Sequence, residues 1–204
     1  MYRFMCRRFA DMDQAALERL GRFRHEVFIG KLRWDVASVH PKPGVEIDKF
    51  DAEGTIFIMA LDSKGKLVGC TRLLPTTRPY LLGDVFPRLC EKPVPRDAKV
   101  WELSRYAAVS SVSGTLGISL FKASMQLAHT QGVRDVVAVT TQSLERYFLR
   151  HGVELCRLGG SFTRGKDRLV ALCFSTGQFS NFTCGLSLEN FFQGSLGKNL
   201  AIAL

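Results

Sequence analysis

The order in which hydrophobic periodicity changes along the chain restricts its architecture more than any other feature. Two β-rich runs, TIFIMALD (Thr55 to Asp62) and KLVGCTRLL (Lys66 to Leu74), flank the short glycine-containing turn Ser63-Lys64-Gly65 and read as a hairpin. After a Pro-rich connection the pattern becomes strand, helix, strand, helix, strand. These are VWELSRYAAV (Val100 to Val109), Gly114 to Gly132 with Leu116, Leu120, Ala123 and Leu127 on one helical face, VRDVVAVTT (Val133 to Thr141), SLERYFLRHG (Ser143 to Gly152) and RLVALCFS (Arg168 to Ser175). A hairpin region followed by such alternation predicts an α/β fold in three layers, with a mixed, mostly antiparallel central sheet covered by helices on both faces. Ahead of the hairpin, Ala16, Leu20, Phe23 and Val27, with Leu17 beside them, predict an amphipathic helix from Asp13 to Ile29, with Asp11 and Asp13 as N-cap candidates. Gly30 to Gly44 carries Trp34, Pro41 and Pro43 without periodicity and reads as a long irregular segment of the kind that forms lids.

A chain of 204 residues suits one domain spanning 1–204, with the tail from about residue 185 peripheral. Hydrophobic and charged fractions of 46% and 23% exclude disorder and coiled coil. No apolar run approaches the ~18 residues of a membrane span, and the first residues lack the apolar stretch of a secretory signal, so the expected location is cytoplasmic. Cys6, Cys70, Cys90, Cys156, Cys173 and Cys184 are scattered without zinc spacing and read as reduced core thiols. The formal charge of +9 implies an acidic partner, whether nucleic acid, anionic membrane surface or acidic protein.

Phosphate-loop, dinucleotide, zinc-protease and nucleophile-elbow motifs are absent. What stands out is a set of polar residues in apolar surroundings: Arg24 on the first helix, Asp48 and Asp51 in EIDKFD, Arg72 in a hairpin strand, and Glu102, Ser104 and Arg105 in WELSRY. Charges seldom enter such elements without partners.

The blocks RFRHEVF (Arg22 to Phe28), Trp34-Asp35, EIDKFD (Glu46 to Asp51), GCTRLLPTTRPYLLGDVFP (Gly69 to Pro87) and WELSRYA (Trp101 to Ala107) together resemble the acyl-homoserine lactone synthases, the LuxI-like autoinducer synthases of quorum sensing. The resemblance implies a fold related to the GCN5-type N-acetyltransferases, an acyl carrier protein thioester as acyl donor and S-adenosylmethionine as a substrate, with no metal or cofactor. It implies invariant roles for Arg24, Phe28, Trp34, Asp48, Asp51, Arg72, Phe86, Glu102 and Arg105. Of these, Arg24, Phe28, Trp34 and Arg105 would surround S-adenosylmethionine, with Asp48, Asp51 and Phe86 counted in the same substrate site. Arg24, Asp48, Asp51, Arg72, Glu102 and Arg105 would form one charge-balanced cluster, with Ser104 near the thioester. Thr140 falls where some relatives carry a threonine linked to 3-oxo acyl preference, although Ala138 is smaller than the polar residue beside it there. Arg146 and Arg150, four apart on a helix, sit where relatives place basic residues that dock the acidic carrier protein.

The implied reaction needs a base, because an α-amino group has a pKa of ~7.7 to 8.0 and is mostly protonated at neutral pH. Glu102 is the candidate, acting through a water, alongside Ser104, Arg105 and Arg72. The thioester oxyanion would meet a backbone N–H where two strands splay. In a regular strand Glu102 and Ser104 share a face while Arg105 points away, so cooperation predicts a β-bulge or splay between Leu103 and Ala107.

Each residue also has a plain structural reading. Arg24, Asp48, Asp51 and Arg72 serve equally as ion pairs holding the irregular segment, Phe28 and Trp34 as packing anchors, Glu102 as a buried structural charge and Ser104 as a core hydroxyl. Arg146 and Arg150 serve equally as a solvated face. The alternative enzyme is a generic GCN5-like N-acetyltransferase using acyl coenzyme A, yet Ser113-Gly114-Thr115-Leu116-Gly117 lacks the full pyrophosphate-loop pattern. A basic nucleic-acid-binding module is the third reading, and no helix-turn-helix spacing supports it.

Overall fold

The computed structural model describes residues 2–109, 115–182 and 186–187. Among the described residues nine strands form one sheet: β1 (Arg3–Arg8), β2 (Ile56–Leu61), β3 (Leu67–Pro75), β4 (Val100–Ala108), β5 (Asp135–Thr141), β6 (Cys156–Arg157), β7 (Phe162–Arg164), β8 (Asp167–Ser175) and β9 (Leu186–Ser187). Their order across the sheet is β6-β8-β5-β4-β3-β2-β1-β9, with β7 pairing β8. Only β4–β5 and β1–β9 are parallel, so the sheet is mixed and mostly antiparallel, as the periodicity predicts.

The helices are α1 (Gln14–Arg24), α2 (Leu81–Val85), α3 (Leu116–Thr130) and α4 (Gln142–Arg150). α3 and α4 cover one face. There Leu103, Ile58 and Leu73 from the strands meet Leu120, Phe121 and Phe148, and Phe121 touches the rings of Phe148, Phe174 and Phe179. α1 and α2 cover the other face, with Leu20, Phe23 and Phe28 over Phe57, Met59 and Cys70, and Leu82 and Phe86 beside Phe50, Val100 and Val137. Alternation along β2 and β3 sends successive side chains to these two layers, which is why both strands are buried throughout or nearly so. Among the described residues no helix is long and apolar enough to cross a membrane.

Several sequence expectations are corrected. The opening helix starts where Asp13 caps it, through Oδ1 and the Ala16 N–H at 2.7 Å, but it ends as an α-helix at Arg24 and continues as a π-helical turn from His25 to Lys31. The irregular segment therefore begins at Leu32. β1, α2 and the short β6 and β7 were not foreseen. The cysteines are not all core thiols: Cys6 and Cys70 are buried, Cys90 and Cys173 half-buried and Cys156 exposed. Cys184 and Ser113-Gly114 lie outside the described residues.

Candidate functional site

The site forms where β4 changes partners. β4 and β5 pair from Val100–Asp135 to Glu102–Val137 and no further, although both strands continue, so they splay beyond Glu102. On its other edge β4 pairs with β3, where Ser104 lies opposite Arg72 and Ala107 opposite Cys70. Three steps on β4 thus match two on β3, and the extra residue is a β-bulge. Arg105 sits in it with φ 51°, the left-handed region that costs a non-glycine residue about 1–3 kcal/mol. The bulge resets alternation: Leu103 and Tyr106 face α3, while Glu102, Ser104 and Arg105 all face the α1/α2 side. The irregularity expected between Leu103 and Ala107 is present.

On that side three arginines meet three carboxylates below the surface. Glu46, fully buried, accepts from Arg24 Nε at 2.5 Å and Nη2 at 3.0 Å, and from Arg105 Nη2 at 3.0 Å. Asp51 takes Arg24 Nη2 at 2.8 Å and Arg72 Nη1 at 2.8 Å. Asp48 takes Arg72 Nη1 at 2.6 Å through Oδ1, and its Oδ2 lies 2.6 Å from Arg105 Nη2. Ion pairs this deep are tolerated because every charge has an opposite neighbour. Burial opposes the charge on Asp51, but Arg72 and Arg24 outweigh it and hold its carboxyl well below the usual range. The EIDKFD segment can present all three acids because Asp48 Oδ1 accepts the Phe50 N–H and Asp51 Oδ2 accepts the Asp48 N–H, folding the loop on itself.

Glu102 does not belong to this ion-pair network, contrary to the six-member cluster read from the sequence; Glu46 fills that place. Instead the fully buried Glu102 carboxylate accepts the N–H groups of Leu81 at 3.0 Å and Leu82 at 2.7 Å, capping α2 from a neighbouring strand. Burial, only partly offset by those N–H groups and by Arg72, pushes its pKa up to about 7. Ser104 Oγ accepts from Arg72 Nε at 2.9 Å. Arg72 Nη2 is buried and has no hydrogen-bond partner among the described residues.

Phe28, buried, stacks on Trp34 at 5.4 Å between ring centroids, and the Arg105 guanidinium lies 5.6 Å from the Phe28 ring. Trp34 stays 37% exposed, at the open rim of this layer. The π-helical turn carries Phe28, and Trp34 is tied to it by its own N–H to the Phe28 carbonyl at 2.8 Å. The other candidates lie apart. Phe86 packs in the α2 cluster with Phe50, whose ring is 5.8 Å from the Arg72 guanidinium. Thr140 shares a strand face with Val136 and Ala138 on the α3/α4 side. Arg146 and Arg150 are exposed on α4, with the 52% exposed Leu149 between them.

Glu46 is the residue the sequence reading missed. It stands in the matching EIDKFD block, two positions before Asp48, but the predicted cluster already balanced three arginines against three acids, so charge counting gave no signal that another acid was needed.

Comparison with known proteins gives a consistent result. The family description "Autoinducer synthase" matches residues 8–181. An acyl-homoserine-lactone synthase from Pseudomonas aeruginosa is 47% identical over 163 residues, covering 80% of this chain and 81% of the relative. Among solved structures, TofI in a ternary complex with an inhibitor and MTA superposes with a TM-score of 0.76 at 34% identity, covering 85% of this chain and 91% of TofI. BjaI, a CoA-dependent acyl-homoserine lactone synthase solved with SAM and isopentyl-CoA, gives a TM-score of 0.76 at 27% identity, covering 86% of this chain and 84% of BjaI.

Proposed function

The chain belongs to the autoinducer synthase family, as an acyl-homoserine-lactone synthase with a GCN5-like acetyltransferase fold, and from that premise we propose which substrates it joins and which residues do the work. The acyl acceptor is the α-amino group of S-adenosylmethionine, and the donor is an acyl carrier protein thioester. One observation carries this reading: the bulge brings Arg105 onto the face that Glu102 and Ser104 already share, at the mouth of the β4–β5 splay.

Glu102 is the base. A carboxyl at about 7 is poised to take a proton near neutral pH, directly or through one water, while a carboxyl at its ordinary value would be a weaker acceptor. The freed amine attacks the thioester carbonyl, and backbone N–H groups of β4 beyond Glu102, released from pairing with β5, are placed for the oxyanion. The carrier thiolate leaves. The methionyl carboxylate then attacks the carbon bearing sulfonium, closing the lactone and expelling methylthioadenosine. Arg105, fixed by Glu46 and Asp48 and adjoining Phe28, is suited to hold that carboxylate in line, with Arg24 behind it. The buried Arg72 Nη2, without an acceptor among the described residues, offers a donor for a substrate oxygen. Phe28 and Trp34 give the sulfonium and adenine an aromatic wall.

The carrier-protein donor is supported by the +9 charge and by exposed Arg146 and Arg150, which match an acidic partner. A coenzyme A donor is the second reading, favoured by the likeness to CoA-dependent BjaI. The purified chain should be given S-adenosylmethionine with the same acyl group on carrier protein or on coenzyme A, and its products read by mass spectrometry. The proposal expects lactone and methylthioadenosine, with higher kcat/KM for the carrier thioester. Arg146→Glu with Arg150→Glu should raise KM for that donor and leave KM for S-adenosylmethionine unchanged. Equal or better use of the coenzyme A thioester would overturn the donor assignment, and acyl transfer without lactone would overturn the acceptor chemistry.

A further inference from the structure

Away from this site, the far edge of the sheet sets two cysteines directly opposite each other. Cys156 of β6 and Cys173 of β8 are register partners in an antiparallel ladder, which puts both side chains on the same face. Two residues along, the Leu158 N–H donates to the Ala171 carbonyl at 2.9 Å, so the cysteine pair occupies a hydrogen-bonded position of the ladder. Cα atoms at such positions stand ~5.5 Å apart, inside the ~4.4–6.8 Å range that a disulfide spans.

Their surroundings differ in a way that assigns them separate parts. Cys156 is exposed on a two-residue edge strand, open to a small oxidant. Cys173 is half-buried against the α2 cluster, and burial, followed by the Asp135 carboxylate, pushes its thiol up to about 12. Cys6 and Cys70 are buried singly and play no such part.

We propose that Cys156 and Cys173 form an oxidisable dithiol, a modification site whose substrate is a hydroperoxide. The Cys156 sulfur attacks the O–O bond of hydrogen peroxide, giving a sulfenic acid and one water. The Cys173 sulfur then displaces the hydroxyl of that sulfenic acid, and with the Cys173 proton it departs as a second water while the S–S bond forms. Two thiols lose two electrons and two protons, and the peroxide is reduced to two waters. Because Cys173 must give up its proton, disulfide closure should be the slower step and should quicken as pH rises. The next residue, Arg157, holds Glu145 of α4 through two hydrogen bonds of 2.6 Å, so the new bond would tie the α4 anchor covalently to β8.

The test treats the full chain with a tenfold excess of hydrogen peroxide, stops it with catalase, alkylates under denaturing conditions with N-ethylmaleimide and maps the peptides by mass spectrometry. The expected result is one joined pair of peptides holding Cys156 and Cys173, lighter by two hydrogens, restored by dithiothreitol and formed several-fold faster at pH 8.5 than at pH 6.5. Cys156→Ser should abolish it. Cys173→Ser, or Cys173→Ala if the first fails to fold, should instead accumulate a Cys156 sulfenic acid that dimedone labels. Overturning results are Cys156 over-oxidised while wild-type Cys173 still alkylates, no loss of the Cys156 thiol, or Cys173 joined to a cysteine other than Cys156.

Discussion

The two faces of β4 are buried in opposite ways. Toward α3 and α4, Leu103 and Tyr106 enter a layer of rings and aliphatic chains organised around Phe121. Toward α1 and α2, Glu102, Ser104 and Arg105 enter a layer in which three arginines and three carboxylates fix one another. The apolar layer asks for volume and tolerates exchange of one hydrophobe for another of similar size. The charged layer asks for every partner at once, since removal of one leaves another buried and uncompensated. Volume holds the first arrangement together, and mutual compensation of charge holds the second.

The largest expected effects set the two layers side by side. Asp51→Asn strips a charge from between Arg24 and Arg72 and should lower stability by about 3–5 kcal/mol. Phe121→Ala should lower it by a similar ~3–5 kcal/mol through lost packing. Urea titration measures both, and the pH dependence separates them. Asp51 is held below its unfolded value, so its contribution is present above about pH 4 and lost as pH falls below it. Asp51→Asn should flatten this acid limb, and Phe121→Ala should leave its shape intact.

Glu102 has the opposite sign. Its folded value of about 7 exceeds the ordinary 4.5, so the folded chain keeps a proton that the unfolded chain has released. That contribution is complete below about pH 4.5 and is lost as pH rises through 7, a change of roughly 3 kcal/mol. Urea midpoints of Glu102→Gln across pH 4.5 to 7.5 should lack this decline. If wild type and variant share the same slope there, the carboxyl titrates normally and the contrast between the layers is weaker than described.

A smaller effect is expected at the edge of the apolar layer. A Cβ at Gly117 would stand 2.9 Å from both the Tyr106 and Tyr147 hydroxyls, so Gly117→Ala should displace one ring and cost about 1–3 kcal/mol in a thermal melt. The smallest belongs to Arg157→Ala. Its bond to Glu145 is bidentate, but Arg157 itself is open to solvent although Glu145 is buried, and water can reach the carboxylate in its place, so its loss should cost about 1 kcal/mol.

The apolar layer was legible in the sequence because periodicity reports which side chains face a core. That holds for the β2–β3 hairpin, β4, α3, β5, α4 and β8. β1 escaped because RFMCRR carries three arginines in six residues and masks its alternation, and α2 because LLGDV is too short to show a helical period. The charged layer was legible only in part. Arg72, Ser104 and Arg105 stood out as polar residues in strands, and the bulge followed from asking them to cooperate. Glu46 did not, since its burial depends on Arg24 and Arg105, 22 and 59 residues away in sequence. For the same reason the capping of α2 by Glu102 could not be read, as it joins two elements through a connection without periodicity.

The central claim is that the bulged face of β4 delivers Glu102 as a base, and the pH profile of kcat for wild type and Glu102→Gln tests it most directly. With both substrates saturating, wild-type kcat should fall as pH drops through about 7, and the Gln variant should lose roughly 10²- to 10⁴-fold in kcat together with that limb, while its KM for S-adenosylmethionine changes little. A Gln variant with near-normal kcat and an unchanged limb would leave Glu102 as the cap of α2 alone and contradict the account.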